Sequence, residues 1–185
     1  MSNEKTRREF LAGMGGGFVA LTIATSCGAM TPAEARAKGV ALQVLTESEG
    51  RTLEALGDVL LPGAAEAGIT QYVDSQLASK TPLLILNYMD FPMPFAEFYR
   101  QGLASLEHAA LARHGRSFLK LSSFRKTALV REISQRVPTG WNGPPAPLFY
   151  FVTRNDAVDV YYGTQEGFAK LNIPYMAHIV PPEKW

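Results

Sequence analysis

Apolar residues recur along most of this chain at the three- and four-residue spacing of amphipathic helices. The first apolar stripe consists of Leu53, Leu56, Leu60 and Leu61. Thr46-Glu47-Ser48-Glu49 precedes it and has the Thr-x-x-Glu form of a capping box, so a helix is predicted to begin there. Pro62-Gly63 follows the stripe and is predicted to end that helix.

A second helix of about ten residues is predicted by the same periodicity to begin near Thr70. Its apolar side carries Tyr72, Val73 and Leu77, whereas Asp74 is predicted to face elsewhere. Farther along, Leu83 to Met89 is a short apolar run that is predicted to be a buried helical turn or core segment, with a strand as the alternative.

Three longer helices are predicted in the second half of the chain. They run from Pro94 to Gly115, from Ser123 to Val137 and from Leu148 to Tyr161. In the middle one of the three, the residues predicted to point inward are Phe124, Ala128, Leu129 and Ile133. The stretch from Pro138 to Pro147 contains four prolines and two glycines, which predicts an irregular loop.

The fold class predicted from these patterns is all-α, a single compact helical bundle with an extended C-terminal tail. No internal repeat, heptad array or sustained two-residue alternation interrupts the helical periodicity. The 185 residues suffice for one domain, and the 46% of hydrophobic residues suits a packed core. Because 18 basic residues nearly balance 17 acidic ones, the chain lacks the broad positive field that nucleic-acid binding needs.

The N-terminus resembles a twin-arginine export signal. Arg7 and Arg8 stand just before Phe10 and Leu11, and an uncharged stretch from Leu11 to Met30 follows. That stretch is too rich in glycine and alanine for a stable membrane span. The resemblance implies export to the periplasm by a route that carries folded proteins. The alternative is an ordinary N-terminal helix that happens to contain two arginines.

A cleavage site is predicted at Ala33-Glu34-Ala35, so the mature chain would begin near Arg36. The domain boundaries that follow are a signal peptide over 1–35, a helical domain over 36–162 and an interaction tail over 163–185. A rival interpretation makes Cys27 a lipid-modified first residue, which would tie the chain to the cytoplasmic membrane. Otherwise any membrane contact is expected to be indirect.

No catalytic constellation is visible in the sequence. The only cysteine, Cys27, lies in the predicted signal, so the mature chain would offer no thiolate for an iron–sulfur cluster or a c-type haem. His108, His114 and His178 match no zinc motif, and His108 and His114 are expected at the surface or at a helix end. No metal site and no cofactor site are therefore predicted in this chain.

Two segments resemble the gluconate 2-dehydrogenase subunit 3 family. One is Leu60 to Ile69 followed by Tyr72-Val73-Asp74, and the other runs from Phe149 to Trp185 and includes Tyr161-Tyr162-Gly163. The resemblance implies a non-catalytic small subunit that supplies the export signal and assists the maturation of a large subunit. That partner would be of the glucose-methanol-choline (GMC) oxidoreductase type and would carry FAD. Further partner subunits would add haem c, as a cytochrome c, or an iron–sulfur cluster.

The C-terminal part of the chain is rich in aromatic residues. Nine of the 19 aromatic residues (2 Trp, 7 Tyr and 10 Phe) lie in the last 45 positions. Aromatic side chains are typical of interfaces, so this part is predicted to lie along a partner. The residues predicted to bind the partner are Trp141, Tyr161, Tyr162, Phe168, Pro174, Tyr175 and Trp185. An arm wrapped over the chain's own bundle is the alternative.

Two other classes of function stay open from the sequence alone. One is a stand-alone periplasmic binding or chaperone module. The other is a small enzyme that uses His108 or His114 with a cofactor that the sequence does not reveal.

Overall fold

A computed structural model describes residues 23–25 and 28–172 of the chain. The first elements are two short antiparallel strands, β1 (Ile23–Thr25) and β2 (Gly28–Met30), in which Ile23 pairs with Met30. The export-signal residues Arg7, Arg8, Phe10 and Leu11 and the proposed lipidation site Cys27 lie outside the described residues, so these assignments stay predictions.

The helix α1 (Pro32–Ala37) follows directly and packs against the helix α3 (Ile69–Ala78). The predicted cleavage site Ala33-Glu34-Ala35 lies within α1. The boundary between signal and domain at residue 35 stays a prediction.

The helix α2 (Glu47–Leu60) begins where its capping box predicted. The Thr46 N–H donates to Glu49 Oε2 at 2.7 Å, and the Glu49 N–H donates to Thr46 Oγ1 at 3.3 Å. Leu53 and Leu56 are fully buried. The predicted helix after residue 69 is confirmed as α3, with Tyr72 and Val73 buried.

Asp74 belongs to the same helix, and its buried carboxylate faces the segment before α2. It accepts hydrogen bonds from the N–H groups of Gln43, Val44 and Leu45 at 2.7, 2.9 and 2.8 Å. Unpaired backbone N–H groups are costly to bury, and three of them find a charged acceptor here. Asp74 therefore fixes the segment that leads into α2.

The apolar run at residues 83–89 forms a 3₁₀ turn, Ile85–Tyr88, in agreement with the predicted buried turn. Only part of it is buried: Leu84 and Leu86 lie in the core, whereas Leu83 and Tyr88 are exposed. The next helix is α4 (Phe95–His114), which ends as predicted at Gly115, whose φ of 64° is the left-handed conformation that glycine adopts readily.

A 3₁₀ turn over Phe118–Lys120 leads to the helix α5 (Ser123–Gln135), whose buried side carries Leu129, Val130 and Ile133. The prediction that Phe124 points inward is wrong, because its side chain is 83% exposed. Phe124 lies five positions before Leu129, which places it about 140° around the helix from that residue. Phe118, in the preceding turn, is the phenylalanine that is buried in the core.

The last two helices are α6 (Ala146–Tyr162) and α7 (Gln165–Lys170). The predicted proline-rich loop separates α5 from α6. The helix α7 was not predicted, because its six residues are too few to show a periodicity. Its first turn is capped by Thr164, whose Oγ1 accepts from the Gly167 N–H at 3.0 Å.

The described part of the chain is thus all-α apart from the small β1–β2 pair, which confirms the predicted fold class. The helix α2 contacts α3, α4, α5 and α6 and forms the centre of the bundle. One continuous hydrophobic core joins these helices. The helix α6 contacts α2, α3, α4, α5 and α7. One side of α6 is buried, and its other side carries the exposed residues Phe151 and Val158.

Candidate partner-binding surface

The loop between α2 and α3 has a fixed conformation set by its own backbone. The Ala67 N–H donates to the Gly63 carbonyl at 3.0 Å, and the Ile69 N–H donates to the Ala64 carbonyl at 3.1 Å. The Asp58 carboxylate accepts from the Ala65 N–H at 3.0 Å. Gly63 has a φ of 94°, a left-handed conformation that a side chain would strain. This loop is the first of the two segments that carry the family resemblance.

The second segment meets this loop through Tyr161. A Cβ atom at Gly63 would lie 2.8 Å from Tyr161 Cε2, so the ring packs directly on the loop backbone. Tyr161 also packs edge-on against Tyr162, with ring centroids 4.8 Å apart. Residues 61–69, Tyr161 and Tyr162 therefore form one structural unit at the end of α6, which we call the motif corner.

The helix α7 closes the motif corner from the other side. A Cβ atom at Gly167 would lie 2.5 Å from the Tyr161 carbonyl oxygen, so α7 lies tightly against the end of α6. Lys170 places its Nζ 4.0 Å from the centre of the Tyr161 ring, a cation–π contact. Phe168 belongs to this helix and is half-buried.

An apolar stripe on the outward side of α6 adjoins the motif corner. Phe151 is 45% exposed and Val158 is 38% exposed. Phe151, Val158 and Tyr162 follow one another at spacings of seven and four residues, which places them on one side of the helix. We call these three residues the outer stripe. Apolar side chains that line up in this way at a surface are typical of a protein contact.

The inner side of α6 carries a buried acid. Asp156 is fully buried, and its Oδ2 accepts from the Tyr99 hydroxyl at 2.7 Å. Its Oδ1 has no hydrogen-bond partner among the described residues. Burial raises the pKa of Asp156 to about 8, the Tyr99 hydrogen bond opposes that rise, and Asp159 adds to it. Burial also raises the pKa of the Tyr99 hydroxyl.

This acid pair lies inside the core and has no access to a substrate. A shallow, open depression elsewhere on the molecule, between residues 40–43 and α3, has room for little more than one water molecule. Small-molecule sites usually enclose at least about 300 Å³. Neither feature therefore has the form of an active site.

The histidines of α4 do not form a catalytic group either. His108 is exposed, and His114 is the last residue of the helix, as predicted. Burial, with Arg125 and Arg113 nearby, lowers the pKa of His114. Glu107, the neighbour of His108, accepts from the Phe118 N–H at 2.9 Å and fixes the turn before α5.

Residues 23–25 and 28–172 contain neither a metal-binding cluster nor a membrane-spanning helix. No group of three or more His, Cys, Asp or Glu side chains there could hold a metal ion. In that same part of the chain, no helix combines the length and the apolar character needed to cross a membrane.

The structure separates the predicted partner-binding residues into three groups. Tyr161 and Tyr162 lie in the motif corner, and Phe168 lies on α7, the helix that packs against it. Trp141 lies in the proline-rich loop, where its ring packs 5.7 Å from that of Phe149 and its Nε1–H donates to the Pro144 carbonyl at 2.7 Å. Pro174, Tyr175 and Trp185 lie outside the described residues.

Sequence reasoning did not select the other members of this surface. Phe151 and Val158 were not singled out, although their seven-residue spacing is a signal that could have found them. Gly63 and Lys170 carry no such signal, because their roles arise from contacts with Tyr161 that only the fold creates.

The comparisons with known proteins agree with the motif segments. The family model described as Gluconate 2-dehydrogenase subunit 3 matches residues 47–179, a range that contains α2 to α7 and the whole motif corner. Searches of curated proteins and of solved structures found no match.

Proposed function

Because the chain belongs to the gluconate 2-dehydrogenase subunit 3 family, we propose that it is the non-catalytic small subunit of an FAD-dependent dehydrogenase. The large subunit would be of the GMC type and would oxidise a sugar, a sugar acid or a glycoside. The small subunit would supply the signal that exports both chains to the periplasm, and it would support the maturation of the flavin-bearing chain.

The observation that carries this proposal is the junction of the two family segments. They are far apart in the sequence, yet Tyr161 packs on Gly63. The outer stripe, in which Phe151 and Val158 are exposed and Tyr162 is half-buried, continues from that junction. A fold that brings its family segments together beside an exposed apolar stripe has the features of a binding surface. We propose that the large subunit binds to the motif corner and the outer stripe.

The redox chemistry would belong to the other subunits of the complex. FAD would be bound by the large subunit, and electrons would pass on to a cytochrome c subunit or another acceptor. The purified small subunit should therefore show no flavin absorbance and no sugar oxidation, and activity should appear when the large subunit is present.

Co-purification from the native host separates this proposal from its alternatives. A stoichiometric complex with a flavoprotein supports the subunit. A monomer without a partner would favour a stand-alone binding or chaperone module, and turnover by the purified chain alone would favour a small enzyme.

Replacing Phe151 with Ser tests the proposed surface. Loss of an anchoring aromatic side chain typically costs on the order of 2 kcal/mol of binding free energy, which corresponds to about thirty-fold in affinity. The thermal stability of the isolated chain should change little, because Phe151 is 45% exposed. Titration of the purified large subunit measures the affinity.

Leu111→Ser is the matched control for Phe151→Ser, since Leu111 lies on α4 and is 46% exposed. Equal affinities for the two variants, or a large loss for Leu111→Ser alone, would contradict the proposed surface while leaving the subunit proposal standing.

The export proposal has its own test in Arg7→Lys combined with Arg8→Lys. We expect this double variant to leave both the small subunit and its flavin-bearing partner in the cytoplasm, because the paired arginines are the proposed signal for the complex. Cell fractionation with detection of both chains measures the outcome. Arrival of both chains in the periplasm despite the double substitution would show that the signal assignment is wrong.

A further inference from the structure

We propose that α1 is a permanent part of the folded domain and that the peptidase cut which removes the export signal falls before Thr31. The statement about the cut presupposes the export signal proposed above, whereas the statement about the helix does not. The proposed cut moves the predicted start of the mature chain from Arg36 to a residue on the N-terminal side of α1.

The first turn of α1 is closed by a complete capping box. The Thr31 N–H donates to Glu34 Oε2 at 2.8 Å, and the Glu34 N–H donates to Thr31 Oγ1 at 3.2 Å. Pro32 occupies the first helical position, where it needs no hydrogen-bond partner for its nitrogen. The pKa of Glu34 is lowered, chiefly by the backbone hydrogen bond from Thr31. This local pattern specifies a helix at these residues, whereas a peptidase substrate must be extended.

The helix is also docked on the body of the protein. Pro32 is buried, and Ala35 is 0% exposed. A Cβ atom at Gly68 would lie 2.3 Å from the Pro32 carbonyl oxygen, so the turn before α3 and the start of α1 touch through their backbones. Ala35 is therefore small for a structural reason, and the A-x-A pattern needs no peptidase to explain it.

Contacts beyond Ala35 tie the same segment to α2 and α3. Arg36 Nε lies 2.9 Å from Glu54 Oε1 of α2. The Val40 N–H donates to the Ala35 carbonyl at 2.9 Å, and Val40 packs with Met30 and Ala35 in a small hydrophobic cluster. Asp74 then fixes residues 43–45. The chain from Thr31 to the start of α2 is thus held at each end and in the middle.

A cut after Ala35 would need α1 to leave this position first. Proteases act on exposed, open segments, and cleavage of a folded segment depends on how often it opens. A twin-arginine route carries folded proteins, so α1 would already be docked when the chain meets the peptidase. The segment before Thr31 is then the place where the cut falls.

Hydrogen exchange on the full-length chain tests whether α1 is part of the domain. The amides of Ala35, Lys38 and Val40 donate to carbonyls within residues 31–40. They should exchange at least about a hundred-fold more slowly than in an unstructured peptide, as expected for a docked element. Exchange of these amides at the unstructured rate would overturn the proposal.

The position of the cut is read from the intact mass of the protein recovered from the periplasm. We expect a chain that begins at or before Thr31, and a start at Arg36 would overturn the proposal. Ala33→Gln strengthens the test, because Ala33 is exposed and a large residue there destroys the A-x-A pattern without disturbing the helix. Ala37→Gln, an exposed position in the same helix, is the matched control.

Under the proposal both variants are processed like the parent. Accumulation of the precursor with Ala33→Gln but not with Ala37→Gln would show that the cut follows Ala35, which overturns the proposal. A chain that stays in the cytoplasm uncut, with α1 protected from exchange, would contradict the export signal and still support α1 as part of the domain. The two failures are therefore distinguishable.

Discussion

Asp156 is a single residue whose ionisation the fold opposes. It lies in the core next to Tyr99, without a positively charged partner among its hydrogen bonds, and burial raises its pKa to about 8. An unfolded aspartate has a pKa of about 3.9. The free energy of unfolding therefore includes the full contribution of protonated Asp156 below about pH 4. That contribution is lost progressively as the pH rises toward 8.

Replacing Asp156 with Asn should remove this pH dependence. Asparagine cannot ionise, and its Oδ1 can still accept from the Tyr99 hydroxyl. Between pH 5 and 8 the unfolding free energy of the parent should fall by up to about 1.4 kcal/mol per pH unit through Asp156, and that of the variant should fall by less. Urea unfolding at several pH values measures both, with the exposed Glu66→Gln as the control. A parent whose stability does not fall over this range would contradict the expectation.

Residue-level features were the hardest to predict from the sequence. Phe124 was assigned to the inward stripe of its helix together with Leu129, but its position around α5 relative to Leu129 places it outward. Asp74 was predicted only to face elsewhere than the apolar side of its helix, and its partners, the backbone N–H groups of residues 43–45, were not foreseen. A contact of that kind depends on the tertiary fold and leaves no periodic signal.

Elements were predicted well where local signals specify their ends. The capping box at Thr46, the left-handed Gly115 and the prolines before α6 each mark a helix boundary by chemistry within a few residues. These local signals do not predict how the helices pack against one another. At the crossing of α4 and α6, a Cβ atom at Gly102 would lie 2.2 Å from Phe149 Cδ2, so the two helices approach closely at a glycine.

Gly102→Ala should therefore destabilise the protein, although alanine is the better helix former by about 1 kcal/mol. Overpacking a filled core costs about 1 to 3 kcal/mol of stability. Here the added methyl group would meet the ring of Phe149, which is fully buried. Thermal unfolding should show a lower melting temperature for Gly102→Ala. In a Phe149→Leu background the same substitution should cost less, because the smaller side chain leaves room. A rise in melting temperature for Gly102→Ala would show that the crossing is not tightly packed.

At the scale of the whole molecule, the sequence predicted the fold class and the family but not the surface they create. Tyr161 and Tyr162 were selected as partner-binding residues from the aromatic content of a segment that also carries the family resemblance. The structure adds the neighbours of Tyr161, which are Gly63 on one side and Lys170 on the other. Trp141, selected on the same ground, packs on Phe149 within its own domain. Aromatic content cannot separate interface from core, because both environments bury rings.

Removing Pro174 to Trp185 should weaken the complex more than it destabilises the bundle. These residues follow α7, which closes the motif corner, and they include the large aromatics Tyr175 and Trp185. If Trp185 anchors the large subunit, Trp185→Ala alone should cost on the order of 2 kcal/mol of binding free energy, about thirty-fold in affinity. The thermal stability of the isolated chain should change by less than about 0.5 kcal/mol, as for a surface substitution.

Two measurements on the parent, Trp185→Ala and the truncated chain test the role of the tail. Pull-down of the flavin-bearing subunit reports binding of the partner, and thermal unfolding of the isolated chain reports packing in this chain's own core. Loss of pull-down with an unchanged melting temperature is the expected result, since an interface residue contributes to the complex and not to the free subunit. A sharp fall in melting temperature, with normal pull-down by the fraction that remains folded, would instead place the tail in this chain's own core. In that case the motif corner and the outer stripe alone would form the surface offered to the partner.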